Sequence, residues 1–234
     1  MRAIEQTLRD AGMSAIAGVD EAGRGPCAGP LVVAALILKD PFSPALAEVR
    51  DSKELTSKKR EKLYDLVLSE SQAFSIVEIS SDEIDRDGLH KSNLEGFRRA
   101  VSALEITPDY VLTDGYAIEG MSMPTLGVWK GDQVAISISA ASIIAKVYRD
   151  RIMAKMDLEY PGYGFASHKG YSCNSHGSDP HIGCHSDPPK EFCECGGDSF
   201  NRSIISTPPY TDSSNSPNFS YPRHHEESGT WGTW

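Results

Sequence analysis

The sequence lacks any apolar run long enough to cross a bilayer, so we expect no membrane partner. Basic residues are outnumbered, with 23 Lys and Arg against 33 Asp and Glu, and the net charge of −10 argues against a uniformly basic surface. A local basic patch can still bind nucleic acid, so that partner class stays open. The opening MRAIEQTLRDAG resembles a short amphipathic helix and not a signal peptide, which favours a cytoplasmic location.

Cysteine is nearly absent before residue 172, where Cys27 stands alone, but Cys173, Cys184, Cys193 and Cys195 crowd together afterwards. Residues 172–234 are also rich in Ser, Pro, Asn, Gly and His and have almost no apolar periodicity. Such a composition is typical of disordered chain. We therefore predict an ordered domain over residues 1–171, followed by an atypical, disordered tail over residues 172–234.

Residues 1–171 alternate predicted strands with predicted helices, which indicates an α/β domain. Strands are expected at 14–19, 30–38, 74–80 and 110–113, and a further extended piece is expected to end on Asp132. Capping residues and apolar spacing predict four helix starts, at Thr56 or Ser57, Ser80, Ser92 and Ser139. The last of these helices should run until Pro161.

Carboxylates follow several of the apolar strands: Asp20 and Glu21, then Asp114, then Asp132. Loops and ligands gather at strand ends in α/β sheets, so these side chains could converge. Three or four carboxylates at one point stay ionised together only with a cation, and hard oxygen ligands suit Mg²⁺ or Mn²⁺. Two such ions are a common device for cleaving phosphodiesters.

Ordinary turn chemistry offers a simpler interpretation of part of this pattern. Asp114 precedes a glycine, and Asp132 ends a Lys-Gly-Asp that could belong to any loop. The acid pair is harder to explain in this way, because Gly23, Arg24 and Gly25 follow it almost at once. Bare backbone beside an arginine suits close approach to an anionic or hydroxyl-bearing ligand.

The stretch AGVDEAGRGPCAGPLVVAA closely resembles the signature of the ribonuclease HII family. The resemblance continues in order through DSKEL, YVLTDG, KGD, SAASIIAKVYRDR and YGFASHKGY, and covers nearly all of residues 15–171. It implies a ribonuclease H-like fold, with a mixed central sheet flanked by helices. It also implies an endonuclease that cuts the RNA strand of RNA–DNA hybrids and nicks on the 5′ side of single ribonucleotides embedded in duplex DNA.

The resemblance assigns roles to individual positions of this chain. Its catalytic and metal-binding acids fall on Asp20, Glu21, Asp114 and Asp132, which would hold two Mn²⁺ or Mg²⁺ ions. Its loop that contacts the ribose 2′-hydroxyl falls on Gly23, Arg24 and Gly25, and its stacking tyrosine at the RNA-to-DNA junction falls on Tyr171. Further substrate-binding positions would be Asp51, Ser52, Lys53, Ser139, Ser142, Lys146, His168 and Lys169.

Several of these further substrate-binding positions have a specific predicted role. Asp51, Ser52 and Lys53 should form a loop that contacts phosphate, as in the family. Ser139, Ser142 and Lys146 should share one side of the long helix, whose N-terminus would be available to a phosphate. Lys146 and Arg149 could contact the substrate or could equally belong to a solvated face of the helix. We expect a monomer.

The family pattern stops at Tyr171, where a further helix and a closing His-Arg-x-Ser-Phe segment are expected. The spacing of the tail's cysteines and histidines matches no zinc pattern. If the codons for Cys173 to Glu194 are read one nucleotide later, the genetic code permits ATHMEAIRTLGATPIHRKSFA. This sequence resembles the C-terminal segment that the family has and this chain lacks, and it includes HRKSF. We hypothesise a frameshift near Ser172, which a gene lacking those codons in its next frame would refute.

Two other functional interpretations remain beside a ribonuclease HII. Another acid-cluster nuclease, such as a junction resolvase or a transposase-like enzyme, would lack the Gly-Arg-Gly loop and the HKGY tyrosine. A catalytically impaired ribonuclease HII-like protein is the alternative that the tail suggests, because the chain lacks the family's C-terminal substrate-binding segment.

Overall fold

A five-stranded mixed sheet in the order β3-β2-β1-β4-β5 forms the centre of the computed structural model, which describes residues 3–50 and 52–171. The strands are β1 Ile16–Ala22, β2 Leu31–Leu38, β3 Ser71–Ile79, β4 Tyr110–Asp114 and β5 Thr125–Val128. The α-helices are α1 Ala3–Asp10, α2 Ser57–Glu70, α3 Ser81–Asp87, α4 Leu89–Ser102, α5 Gly131–Val134, α6 Ile136–Glu159 and α7 Phe165–His168. Two short 3-10 turns cover Pro44–Glu48 and Ser52–Glu54.

Strand β2 explains how the core divides into two layers. Its eight apolar residues are all buried, and alternate side chains point to opposite faces of the sheet. Val32, Ala34 and Leu36 belong to the core that includes residues of α2 and α6, whereas Leu31 and Val33 belong to the core that includes residues of α4. A strand covered by helices on both faces is expected to read as an uninterrupted apolar run.

The strand directions place the predicted acids at one edge of the sheet. Strand β1 pairs with β4 in parallel, and β4 pairs in parallel with β5. The register sets Val19 opposite Thr113, so the residues that follow them, Asp20 and Asp114, lie side by side. Strands β2 and β3 complete the sheet in antiparallel pairing, which makes the sheet mixed, as predicted.

Helix boundaries test the capping predictions. Thr56 and Ser80 are N-caps, and their hydroxyls accept hydrogen bonds from the amides of Lys59 and Glu83. The predicted start at Ser92 is wrong, because α4 already begins at Leu89 after Gly88, whose φ of 83° breaks the preceding helix. The capping-box spacing at Ser92 therefore lies inside a helix, where the serine is buried.

Two boundaries near the site also differ from the sequence predictions. Helix α6 begins at Ile136 and not at Ser139, so the serine lies inside the first turn. Asp132 does not end an extended segment: β5 stops at Val128, and Lys130 adopts a left-handed conformation with a φ of 52°. The one-turn helix α5 then carries the acid.

No helix in the described ranges is both long and apolar enough to span a bilayer. The predictions made for Asp51 and for residues 172–234, including the disordered tail, the lack of a zinc pattern and the frameshift, lie outside the described residues.

Candidate active site

Three carboxylates meet at the edge of the sheet. Asp20 comes from β1, Asp114 from the end of β4, and Asp132 from α5, and one oxygen of each lies within 4.8 Å of the others. Asp20 and Asp132 are buried, whereas Asp114 is half-buried. Oxygen ligands in this number and at this spacing are suited to a divalent cation such as Mg²⁺ or Mn²⁺.

The electrostatics of Asp20 fit a site that needs a cation. Burial raises the pKa of Asp20 well above its usual range, and the carboxylates of Glu21 and Asp114 raise it further. The amide of Glu21 donates to Asp20 Oδ1 at 2.8 Å and partly offsets this effect. Ionising all three acids is therefore unfavourable until positive charge enters the cluster.

Glu21, the fourth predicted ligand, lies beside the cluster and not within it. The Glu21 carboxylate is nevertheless close enough to Asp114 and Lys53 for their charges to shift its pKa. Glu21 Oε1 pairs with Arg24 Nη1 at 3.9 Å, and Glu21 Oε2 is buried with no hydrogen-bond partner in the described chain. Burial raises the pKa of Glu21 to about 7, although the Arg24 charge lowers it.

Ser52 and Ser142, which are predicted to contact substrate, lie inside the fold. Both side chains are buried, and their hydroxyl oxygens lie 2.7 Å apart. Ser142 also hydrogen-bonds to the Asp20 carboxylate and lowers its pKa. These two serines therefore link the 3-10 turn at residues 52–54 and helix α6 to the acid cluster from inside the fold.

Asp132 is held by its own set of contacts. The Ser139 hydroxyl donates to the carbonyl of Asp132 at 2.6 Å and to that of Ala135 at 3.0 Å. Ser139 is fully buried, and its predicted contact with substrate stays a prediction. Lys53 Nζ lies 3.5 Å from Asp132 Oδ2, and the side chain of Lys53 is 79% exposed. Lys53 thus places an accessible positive charge at the rim of the cluster.

The loop after β1 brings bare backbone close to the acids. Gly23 has a φ of 113°, a conformation that residues with a side chain rarely adopt. A Cβ there would also lie 2.5 Å from the carbonyl oxygen of Pro30, so a side chain has no room. Arg24 donates to the hydroxyl of Tyr116 at 2.8 Å and lies over the ring of Tyr116 at 4.5 Å. The arginine is therefore held over the acid edge by Glu21 on one side and Tyr116 on the other.

Tyr171 closes the opposite side of this loop. A Cβ built on Gly25 would lie 3.4 Å from Cε1 of Tyr171, which is 53% exposed.

The predicted contacts of His168 with substrate are not favoured, because both of its ring nitrogens are used within the turn. Nε2 lies 2.6 Å from the carbonyl oxygen of Tyr163, and Nδ1 accepts from the amide of Gly170 at 3.0 Å.

The remaining predicted contacts are also engaged internally. Lys146 donates to Asp150 Oδ1 at 2.7 Å, and Lys169 Nζ donates to the carbonyl oxygen of Asp150 at 3.3 Å. The solvated face suggested for Arg149 is wrong, since this side chain is buried. The predicted phosphate site at the N-terminus of α6 is wrong too, because Glu5 Oε1 accepts from Ser137 N at 3.1 Å there.

Sequence reasoning missed several residues of the site. Asn93 is fully buried on α4, and no atom of its side-chain amide has hydrogen-bond geometry with any described partner, although it lowers the pKa of Glu21. Tyr116 and Glu5 contact the site only because distant segments meet. The Asp-Gly-Tyr sequence was the one available hint for Tyr116, because it places an aromatic residue two positions after a predicted ligand.

Comparison with known proteins gives a consistent result. The family model described as Ribonuclease HII matches residues 17–181, a range that ends beyond Tyr171. A Ribonuclease HII of Mycobacterium ulcerans is 52% identical over 176 residues, which cover 75% of this chain and 74% of the relative.

Solved structures show the same likeness. The ribonuclease H2 of Pyrococcus horikoshii OT3 matches with a TM-score of 0.61 and 31% identity, over 68% of this chain and 82% of that one. The RNase HII of Archaeoglobus fulgidus, solved in complex with PCNA, matches with a TM-score of 0.57 and 25% identity, over 70% of this chain and 82% of that one. With its ribonuclease H-like sheet and its acid cluster, the chain belongs to the ribonuclease HII family, hydrolases that act on the RNA of RNA–DNA hybrids.

Proposed function

We propose that this endoribonuclease hydrolyses the phosphodiester on the 5′ side of a ribonucleotide, both in RNA–DNA hybrids and where one ribonucleotide is embedded in duplex DNA. The observation that carries the proposal is the cluster of Asp20, Asp114 and Asp132, whose oxygens lie within 4.8 Å of one another. A loop of bare backbone and an exposed tyrosine border the same edge of the sheet. Such an enzyme removes ribonucleotides misincorporated into DNA.

The donors of the site fit two divalent cations, Mn²⁺ or Mg²⁺. Asp20, Asp114 and Asp132 offer hard oxygen atoms, and the raised pKa of Asp20 reflects charge that a cation would neutralise. Glu21 Oε2 is buried and has no hydrogen-bond partner in the described chain, so it is available to coordinate a metal ion. When bound, two such ions activate water and stabilise the leaving oxygen of an in-line displacement.

The protein's own residues would supply orientation and charge around these ions. Ser142 holds the Asp20 carboxylate, and Gly131 N donates to Asp114 Oδ1 at 2.7 Å, so two ligands are oriented before any ion arrives. Hydrogen bonds to ligand carboxylates tune metal affinity and geometry. Lys53, accessible at the rim beside Asp132, is placed to attract a phosphate of the substrate.

Recognition of the sugar is assigned to the loop and the tyrosine. The backbone of Gly23 and Gly25 can approach a ribose closely because neither residue carries a side chain, and the 2′-hydroxyl is the group that distinguishes RNA from DNA. Tyr171 stands against Gly25, with half of its surface open to a stacking sugar. Arg24 is placed to favour the adjacent phosphate.

We further propose that the protein acts as a monomer in the cytoplasm, where its duplex substrates lie. Size-exclusion chromatography with light scattering tests the first point, and a mass near 25.5 kDa is expected.

A cleavage assay tests the proposed function. The full chain is incubated with a DNA duplex containing one ribonucleotide, with an RNA–DNA hybrid and with the all-DNA duplex, each with Mn²⁺, with Mg²⁺ or with EDTA. We expect metal-dependent cutting of the first two duplexes and none of the third. Cutting of neither ribonucleotide substrate by folded protein would favour the impaired, ribonuclease HII-like alternative.

A further inference from the structure

Arg149 is the largest side chain that is fully buried in the described part of the chain, with 1% of its surface exposed. Burying a guanidinium is costly unless its donors are satisfied. Within the described ranges no carboxylate forms an ion pair with it, and burial lowers the pKa of Arg149. Its neighbour Asp150 pairs instead with Lys146 and Arg60. The buried cation therefore depends on its hydrogen bonds.

Those hydrogen bonds all go to backbone carbonyls of two separate segments. Nε donates to Pro30 and Nη2 donates to Ala28, each at 2.9 Å, and both acceptors lie in the loop between β1 and β2. Nη1 donates to Lys169 at 2.9 Å, just before Tyr171. One guanidinium thus joins the loop at residues 23–30 to the segment at residues 169–171.

The same two segments also touch each other directly. The amides of Cys27 and Ala28 donate to the carbonyl oxygen of Gly170 at 2.9 and 3.3 Å. A Cβ on Gly170, whose φ is 85°, would lie 2.2 Å from the carbonyl oxygen of Ala28, so the two backbones pack without room for a side chain. We call this backbone contact between residues 27–28 and Gly170 the seam. The guanidinium of Arg149 donates hydrogen bonds to the segments on both sides of it.

The seam sets the distance between the groups assigned to sugar recognition. A Cβ on Gly23 would lie 2.6 Å from Nε of Arg149, so the arginine lies directly against the loop that faces the acids. On the far side of the loop, the Cβ position of Gly25 lies 3.4 Å from the Tyr171 ring. Arg149 contacts the backbone of the loop that carries Gly23 and of the segment that carries Tyr171. Its own side chain is buried, so it lies beneath the surface that a duplex would reach.

We propose that Arg149 is a positioning residue, whose guanidinium fixes the spacing between the Gly23–Gly25 loop and Tyr171 and so sets the preference for a lone ribonucleotide in DNA. The inference rests on the function proposed above. A lone ribonucleotide offers one 2′-hydroxyl and one junction, so it binds productively in a single register. A continuous RNA strand offers many registers, and a displaced tyrosine harms it less. Small errors in alignment carry large rate penalties.

The chemistry of arginine suits this role better than that of lysine. Three carbonyls approach from different directions, and a planar guanidinium presents donors in a fixed fork that meets all of them. A lysine ammonium keeps the charge but is a single point on a flexible stem. Arg149→Lys therefore separates geometry from charge, and Arg149→Met removes both while keeping an unbranched apolar stem.

The experiment compares wild type, Arg149→Lys and Arg149→Met with the matched variant Arg151→Lys. Arg151 lies on the same helix, but it is half exposed and pairs with Glu61. Values of kcat/KM are measured with Mn²⁺ on a duplex with one ribonucleotide and on an RNA–DNA hybrid. For both Arg149 variants we expect a loss on the order of 10²-fold on the lone ribonucleotide and of about tenfold or less on the hybrid.

Hydrogen–deuterium exchange of peptides covering residues 23–30 supplies a readout without catalysis. We expect faster exchange of the Cys27 and Ala28 amides in Arg149→Met and unchanged exchange in Arg151→Lys. Equal losses on the two substrates, or unchanged exchange in Arg149→Met, would overturn the proposal. If wild-type protein cuts neither substrate, the proposed function itself fails, while the exchange measurement still decides whether Arg149 couples the two segments.

Discussion

The hydroxyl oxygens of Ser52 and Ser142 lie 2.7 Å apart inside the fold, beneath the carboxylate of Asp20. Ser52 belongs to the 3-10 turn of the DSKEL motif and Ser142 to helix α6. A polar pair of this kind is stable in a core because each hydroxyl has a partner. The pair connects the DSKEL turn and helix α6 to one acid of the cluster, so both elements support the site from inside the fold.

Ser142→Ala should weaken Mn²⁺ binding by roughly 10- to 100-fold, the range seen when a partner of a metal ligand is removed. The fold should survive, because the substitution removes one hydroxyl and leaves a small side chain. Isothermal titration with Mn²⁺ measures the affinity, and Ser102→Ala at the exposed end of α4 is the control. Unchanged affinity in Ser142→Ala would show that Asp20 does not need this hydrogen bond.

Asp20→Asn should lower cleavage by at least about 10³-fold, equivalent to roughly 4 kcal/mol of barrier. The metal-free protein should melt at the same temperature or higher, because the substitution removes a carboxylate that burial and its neighbours disfavour. Differential scanning fluorimetry in EDTA and the cleavage assay measure the two effects. Asp65→Asn on the exposed face of α2 serves as the control, and near-normal turnover of Asp20→Asn would remove Asp20 from the mechanism.

The metal-free protein should lose stability through Glu21 as pH rises from 4.5 towards 7. The pKa of Glu21 is about 7 in the folded protein against a reference value of 4.5, so the unfolded chain releases this proton first. Where the folded state binds more protons than the unfolded state, stability falls with rising pH. In EDTA, the melting temperature of Glu21→Gln relative to wild type should therefore increase between pH 4.5 and 7.

Metal should reverse this comparison. With saturating Mn²⁺ at pH 7, wild type should melt above Glu21→Gln, because a metal ion that binds only the folded state stabilises it, and the variant would lack one of the proposed carboxylate ligands. A constant difference between the two proteins across pH 4.5 to 7 in EDTA would contradict the raised pKa of Glu21.

Tyr171→Ala should reduce cleavage at a lone ribonucleotide more than cleavage of a hybrid, because a lone ribonucleotide offers a single junction for the tyrosine. We expect a change of about tenfold in the ratio of the two kcat/KM values, which corresponds to roughly 1.4 kcal/mol. Tyr171→Phe keeps the ring beside Gly25 and should retain most of the preference. Parallel kinetics on the two substrates give the ratio. If Tyr171→Phe behaves like Tyr171→Ala, the hydroxyl and not the ring carries the effect.

The sequence predicted the sheet and its acids well, because both depend on local patterns. The apolar run of β2 and the acids near the ends of β1 and β4 could be located from composition and order alone. The interior partners could not, because they depend on side chains that meet across the fold. Glu5 reaches the start of α6 from the first helix, and it occupies the position where a phosphate was expected.

Serine and arginine were the least predictable residue types. A polar residue in a motif suggests contact with a ligand, but Ser139 bonds to the backbone of Asp132 and Arg149 bonds to three carbonyls. Whether such a side chain faces inwards depends on helix rotation and on neighbouring loops. Helix α6 is buried almost all round in its first half, so its pattern showed no face to distinguish.

The chemistry of the cut ends tests the central claim most directly. The full chain is given a duplex with one labelled ribonucleotide and Mn²⁺, and the product termini are identified by mass spectrometry. Attack by water at the phosphorus on the 5′ side of the ribonucleotide predicts a 3′-hydroxyl on the upstream DNA and a 5′-phosphate on the ribonucleotide. A 2′,3′-cyclic phosphate would contradict the account, because the 2′-hydroxyl would then be the nucleophile, and a cut on the 3′ side of the ribonucleotide would contradict the proposed position of cleavage.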